Sequence, residues 1–423
     1  MNAFIQKLTL IAKDKTLRSR ALFVLGMFVV FRLLATIPIP GVDALKLQEF
    51  FTNNQFFGLI DIFSGGGLSS LSIVMLGVGP YITGSIIMQL LTMMSEKLKA
   101  LYHEEGEAGR RKFAQYSRLL TVPLALIQAF GFIVLLQKQG IMPEIGVFGM
   151  MVNVIVISAG SMLLMWIGEL ITEFGIGNGV SLIIFAGIVA RIPTQLKQMI
   201  YSFDIAQLPL YLVFITLAFL IIWGVVIVTE AERPIPITYA KRVRGMKVYG
   251  GISTYLPLRV NQAGVIPIIF ALSILLFPQM IFQFLVASQV GWVNDVSQRV
   301  LDFLSNSWFH GGLYFILVFL FTYFYTAVSF DPNAISTNLQ KNGAFIPGVR
   351  PGVSTSEYIA KILTRITMIG ALFLGFIAVL PMIMQGMTGM TSVSIGGTAL
   401  LIAVSVVIDL VKKIEGQLSM REY

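Results

Sequence analysis

The sequence predicts an all-α membrane protein that crosses the bilayer ten times. Three observations predict it. Hydrophobic residues make up 56% of the chain and charged residues only 12%, well below the roughly 25% charged share of a soluble domain. The apolar residues gather in runs of the length a helix needs, about 20 residues, to cross the hydrocarbon core. The basic residues gather in alternate connections between those runs, the charge pattern of a multi-pass chain with one face in the cytoplasm.

The runs are 21–37, 71–94, 119–137, 148–171, 180–201, 208–229, 263–287, 311–330, 363–384 and 396–411. An even number puts both termini on one side. The N-terminal segment carries Lys7, Lys13, Lys15, Arg18 and Arg20, and the second-to-third connection carries Lys97, Lys99, Arg110, Arg111, Lys112 and Arg118. Arg233, Lys241, Arg242, Arg244, Lys247 and Arg259 follow the sixth run; Lys341, Arg350, Lys361 and Arg365 follow the eighth; Lys412, Lys413 and Arg421 lie in the tail. The other side has Lys46, Lys138, Arg191, Lys197 and Arg299, and Arg32 falls within the first run. The rich side is therefore expected in the cytoplasm. Pro38 and Pro40, rather than a small-residue cleavage site, follow the first run, so that run is expected to stay in the mature protein.

Segment 58–70, GLIDIFSGGGLSS, breaks the pattern. It is too short and too glycine-rich to span, yet it enters the second run with no polar connector. Such a piece reads as re-entrant, and irregular backbone at membrane depth must be buried in protein or line a watery cavity. The second run carries Gly77, Gly79, Pro80, Thr83, Gly84, Ser85 and Gln89. That density of small and polar residues suits a helix facing protein or water, and close helix packing accounts for it equally. The two longest connections on the basic side, 230–262 and 331–362, exceed ordinary connection lengths, and ordered loops of that size tend to carry function. Ten runs divide into two bundles of five near Gln207, although no repeat is visible in the sequence.

Much chemistry is excluded. There are no cysteines, hence no disulfide, thiolate or Cys-ligated metal. No GxxxxGK[ST] phosphate loop occurs, so energy from a nucleotide would have to come from a partner. The two histidines, His103 and His310, lie in a charged loop and at the edge of a run, poor places for catalysis or metal ligation. Glu169, Glu173, Glu230 and Asp409 sit near the ends of runs, so the carboxylates that ion-coupled carriers keep at membrane depth are missing. No cofactor is expected. The residues alone describe a channel or an uncoupled transporter with a cytoplasmic partner.

Several stretches narrow this choice: FRLLATIPIPG (31–41), FSGGGLSSLSI (63–73), GPYITGSIIMQLL (79–91), EGEAGRRKFAQYSR (105–118), GIGNGVSLIIFAGIVA (175–190), YAKRVRG (239–245), YLPLRVNQAGVIPIIFA (255–271) and NGAFIPGVRPG (342–352). In content and order they resemble the SecY family, the central subunits of bacterial protein-conducting channels. The resemblance implies two pseudo-symmetric five-helix halves, 1–206 and 207–423, closing like a clamshell, with a short re-entrant plug helix at about 58–70. It implies passage of unfolded secretory polypeptides across the cytoplasmic membrane and lateral release of membrane spans into it.

Residue by residue, the resemblance makes Val78, Ile82, Ile184, Ile269 and Ile402 a central constriction, although an isolated isoleucine in a span is usually ordinary packing. It assigns Phe63, Ser64, Gly65, Gly66, Gly67 and Leu68 to the plug. Gln89, Gln128 and Asn261 fall at a lateral gate between spans two and three on one half and seven and eight on the other. Lys241, Arg242, Arg244, Lys341 and Arg350 become docking residues, where positive charge could equally serve topology alone. The implied partners are SecE and SecG subunits, the SecA motor ATPase or the ribosome, polypeptides bearing signal sequences, and the lipid bilayer.

Overall fold

A computed structural model of the chain describes residues 14–40, 64, 66–68, 70–103, 105–138, 140, 142–143, 145–201, 208–239, 242–244, 247–249, 253–286, 291–388 and 391–419. The first half of the chain comprises α1 (Lys15–Leu34), α2 (Gly79–Met94), α3 (Glu96–His103), α4 (Gly106–Lys138), α5 (Val147–Phe174) and α6 (Gly179–Tyr201). The second comprises α7 (Leu208–Glu230), β1 (Glu232–Tyr239), β2 (Arg242–Arg244), β3 (Lys247–Tyr249), β4 (Ser253–Arg259), α8 (Ile266–Val286), α9 (Gly291–Ser305), α10 (Ser307–Ser329), α11 (Pro332–Lys341), β5 (Ala344–Phe345), α12 (Val353–Thr388) and α13 (Thr391–Ser419). Every predicted run overlaps a helix. Among the described residues, four helical stretches are long and apolar enough to cross a membrane: Gly106–Gln137, Val147–Phe174, Trp308–Lys341 and Val353–Leu380. The chain is a multi-pass membrane protein.

Local chemistry sets several helix ends. The Asp14 carboxylate accepts from the Thr16 and Leu17 amides and caps α1. Asn306 does the same for Trp308 and Phe309 at α10, and Asp331 for Asn333 and Ala334 at α11. These oxygens satisfy amides that the first turn leaves without partners. Pro80 and Pro332 stand in first turns, where a missing N–H costs nothing. Pro123, Pro193 and Pro278 stand inside α4, α6 and α8, as helices packed in a membrane tolerate.

Two expectations are corrected. The second run was expected to be helical from residue 71, but α2 begins at Gly79 and residues 71–78 form turns, with Ser72 bridged to Pro38. Leu71 and Gly77 have φ of 40° and 58°, in the left-handed region that a right-handed helix cannot contain. The described part of the glycine-rich segment, Ser64, Gly66, Gly67, Leu68 and Ser70, also forms turns where the plug helix was expected, and residues 58–63, 65 and 69 lie outside the described residues. Gly66, at φ 85°, suits a turn for the same reason. Phe63 and Gly65 lie outside the described residues.

Helix packing places the halves against each other. Within the first half α1 packs on α5 and α6, and α2 on α4; within the second α10 and α13 pack on α12. Across the halves α8 meets α2 and α4, and α13 meets α6. The long basic connections are not plain loops. Strands pair antiparallel in the order β4-β1-β5, with Ile235 opposite Leu256 and Thr238 opposite Phe345. Ile235, Leu258, Ile346, Ile359, Leu363 and Ile366 form a buried core beneath this sheet. The two connections are therefore one folded body, mounted on the basic end of α12.

Candidate functional site

Val78 is the last residue before α2, and its carbonyl accepts from the Ile82 amide at 3.0 Å, so both side chains leave one face of the helix start. Ile184 comes from α6, Ile269 from α8 and Ile402 from α13. All five are buried, with Ile82 the most open at 8% of its surface exposed. They belong to one apolar cluster fed by α1, α2, α5, α6, α7, α8, α10, α12 and α13. The contributors come from both halves of the sequence, so segments far apart in the chain meet in this cluster. Its aliphatic side chains offer no ligand to an ion, and an apolar constriction excludes ions by dewetting.

A second cluster lies beside the first. It joins Leu68, Leu71, Met75 and Leu76 with Ile39, Ala129, Phe132, Ile133, Leu136 and Ile157. The turn 71–78 straddles the two, giving Val74 and Val78 to one and Leu71 and Met75 to the other. Its backbone is stitched down on both flanks. The Ile39 amide donates to the Leu71 carbonyl at 2.8 Å and the Ile73 amide to the Ile37 carbonyl at 3.0 Å. The Ser70 hydroxyl donates to the Ala35 carbonyl, and the buried Ser161 hydroxyl on α5 to the Gly77 carbonyl, each at 2.8 Å. Gly160 lets α5 come this close, since a Cβ there would lie 2.1 Å from the Ile73 carbonyl oxygen. Within the glycine-rich segment, the buried Ser64 hydroxyl accepts from the Leu68 amide at 3.0 Å.

Gln89 lies on α2, Gln128 is half-buried on α4, and Asn261 is buried just before α8. The side-chain oxygens of Gln89 and Asn261 are buried without a hydrogen-bond partner among the described residues. A desolvated acceptor without a donor costs about 1–3 kcal/mol, so each of these two oxygens would gain from a donor. The predicted basic residues divide between a separate hairpin and the segment around β5. Arg242 and Arg244 lie in the β2–β3 hairpin, where Arg242 faces Tyr249 and Arg244 faces Lys247 in register. Lys341 ends α11, where a cation is favoured by the helix dipole. The exposed Arg350 sits in the following turn, whose carbonyl accepts from the Thr355 hydroxyl at 2.8 Å. Lys241 lies outside the described residues.

Sequence reading missed Gly160, Ser161 and the ion pair between Arg118 on α4 and Glu169 on α5. The signal for the first two was present as the small-residue stretch SAGS inside an otherwise bulky run. Nothing in the spacing signalled the ion pair, because its partners are far apart in the chain.

Comparison with known proteins agrees with this geometry. The SecY family model matches residues 72–411. The protein translocase subunit SecY of Streptomyces coelicolor is 43% identical, with 97% of each chain covered. That of Mycobacterium tuberculosis is 41% identical, covering 100% of this chain and 99% of its own. Among solved structures, one described as a protein conducting channel superposes with a TM-score of 0.66 at 18% identity, covering 96% of this chain and 93% of that one. Sec61 in a canine ribosome-channel complex superposes with a TM-score of 0.61 at 16% identity, with the same coverage. The chain belongs to the SecY family of protein translocase subunits, and it is a protein-conducting channel rather than an enzyme.

Proposed function

We propose that the two halves, 1–206 and 207–423, are five-helix bundles that together cross the cytoplasmic membrane of a bacterium ten times, with both termini in the cytoplasm. The observation that carries the reading is the shared burial of Val78, Ile82, Ile184, Ile269 and Ile402, drawn from both halves into one aliphatic cluster. In this reading they form the constriction through which an unfolded polypeptide passes. Their softness and lack of polar groups let the ring close on any sequence. The turns at Ser64 and at residues 66–68, with Leu68 packed on α4 and α5, support the role of plug. The seam where α8 meets α2 and α4 is the lateral gate, lined by Gln89, Gln128 and Asn261. Hydrogen bonds between membrane helices average about 0.6 kcal/mol, enough to latch such a gate and too little to lock it.

The chain has no phosphate loop, so the driving force comes from a partner. The sheet body carrying Arg242, Arg244, Lys341 and Arg350 is the proposed docking surface for the SecA motor or the ribosome, with SecE and SecG completing the channel. Relatives support this: the canine neighbour was solved in a ribosome-channel complex. Uptake of a secretory preprotein into vesicles holding the channel with its partner subunits tests the reading. Uptake should require the motor and ATP. Arg350→Glu should lower it about tenfold, equivalent to roughly 1.4 kcal/mol of coupling, with the melting temperature unchanged, because only the Arg350 backbone is bonded to Thr355. Wild-type uptake by this variant contradicts the docking role. Saturable uptake of a small solute without a motor would instead mark a carrier.

A further inference from the structure

We propose that α9 lies flat in the lipid headgroup layer and ties the gate-side pair α8 and α10 to the membrane surface. Its fifteen residues, GWVNDVSQRVLDFLS, rise about 22 Å at 1.5 Å each, short of the roughly 30 Å hydrocarbon core. With Asp295, Arg299 and Asp302 it cannot cross. It packs against both α8 and α10, and a single residue, Asn306, separates it from α10. An apolar helical pair that crosses the membrane can hold such an element only at its surface.

The helix divides into three faces. Ser297 and Leu304 are buried, with Val293, Val300 and Leu301 partly so, and these turn toward the protein. Asp295, Gln298 and Asp302 are exposed and polar. Trp292, Val296 and Phe303 remain 72%, 50% and 58% exposed, yet at about 100° per residue they fall within roughly 40° of one another. An apolar stripe of this size beside a polar face is what an interfacial helix buries at the headgroup boundary. The exposed Arg299 points from the same sector, placed for its stem to lie along acyl chains and its guanidinium to reach a lipid phosphate. Trp308, 83% exposed in the first turn of α10, continues the aromatic belt. Phe303 meets Phe309 with ring centroids 3.9 Å apart and planes tilted by 42°, a side-chain contact between α9 and α10. The phospholipid interface is the occupant this combination fits, because the stripe continues directly into the surface of an apolar spanning helix.

The inference rests on α8 and α10 crossing the membrane, so the test reports on both. In the channel with its partner subunits, W166F, W223F and W308F leave Trp292 as this chain's fluorophore; Leu320→Trp with W292F added reports the middle of α10, and partner tryptophans are likewise replaced by phenylalanine. Reconstitution follows in phosphatidylcholine–phosphatidylglycerol vesicles brominated either high or low on the acyl chain. Trp292 should be quenched more by the shallow bromines and the Leu320→Trp reporter more by the deep ones. Trp292 open to aqueous iodide and untouched by bromolipid overturns the interfacial placement, and so does Trp292 shielded from both, the result of cover by protein. Failure of the α10 reporter to meet the deep bromines refutes the spanning arrangement itself.

Discussion

Changing Ile82, Ile184, Ile269 and Ile402 together to asparagine is expected to make the idle channel leak ions. In the native chain each of these side chains is buried in the cluster between the halves and presents only carbon to its neighbours. In the proposed ring an entering ion would lose its hydration shell and gain nothing, and water would withdraw from the constriction. Asparagine amides supply donors and acceptors in the same place, so water stays and an ion stays hydrated. Each ~1.4 kcal/mol removed from the entry barrier raises conductance about tenfold. Four amides are expected to raise the resting conductance in planar bilayers by at least about that factor. The quadruple alanine variant separates polarity from width, since it widens the ring and keeps it apolar. A leak equal to that of the alanine variant shows that width alone was changed. No leak from either variant places the permeability barrier elsewhere.

Gly160→Ala is expected to have the largest effect on folding. A Cβ at this position would stand 2.1 Å from the Ile73 carbonyl oxygen and 2.8 Å from its carbon. These are backbone atoms of the turn that carries Val74 and Val78, so relief requires α5 and the turn to part. Overpacking of this kind costs about 1–3 kcal/mol or more. Parting also breaks the Ser161–Gly77 bond and leaves a buried carbonyl without its donor, about 1–3 kcal/mol further. The sum, about 2–6 kcal/mol, predicts a strongly reduced yield of folded protein and a lower melting temperature in detergent. Gly131→Ala in α4 is the matched control, because its Cβ would meet nothing within 4 Å. Removing a helix-interior glycine is worth up to about 1 kcal/mol in favour of the helix. A Gly160→Ala protein as stable as the Gly131→Ala protein contradicts the close approach.

The spanning helices were legible because bilayer thickness and backbone hydrogen bonding leave one solution for a long apolar run. The charge asymmetry was legible for a similar reason, since few forces act on it. What escaped were features made by contact between distant segments. The strands β1, β4 and β5 read as loop because their pairing depends on residues such as Thr238 and Phe345, far apart in the chain. The turns at 71–78 read as helix because Leu71–Val78 is apolar, and hydropathy says nothing about the left-handed φ at Leu71 and Gly77. At the candidate site, motif resemblance picked out five isoleucine and valine positions from a sequence full of both. Periodicity alone linked only Val78 with Ile82. The partners of the turn, Gly160 and Ser161, belong to no chemical motif, and their role emerges only from the distance between α5 and Ile73. Helix α9 was hidden because its length and charge match neither a span nor a loop.

In the proposed channel a polypeptide passes through the aliphatic cluster. The chain contains no cysteine, so a cysteine introduced in place of Ile82 is a unique reporter. A secretory preprotein carrying one cysteine, stalled midway by a folded C-terminal domain, supplies the partner, and Phe219→Cys on the exposed face of α7 supplies the control. Under oxidation during motor-driven transport, a disulfide is expected between Ile82→Cys and the stalled chain, and none from position 219. Active transport with no adduct at position 82, or equal adducts at 82 and 219, would contradict it.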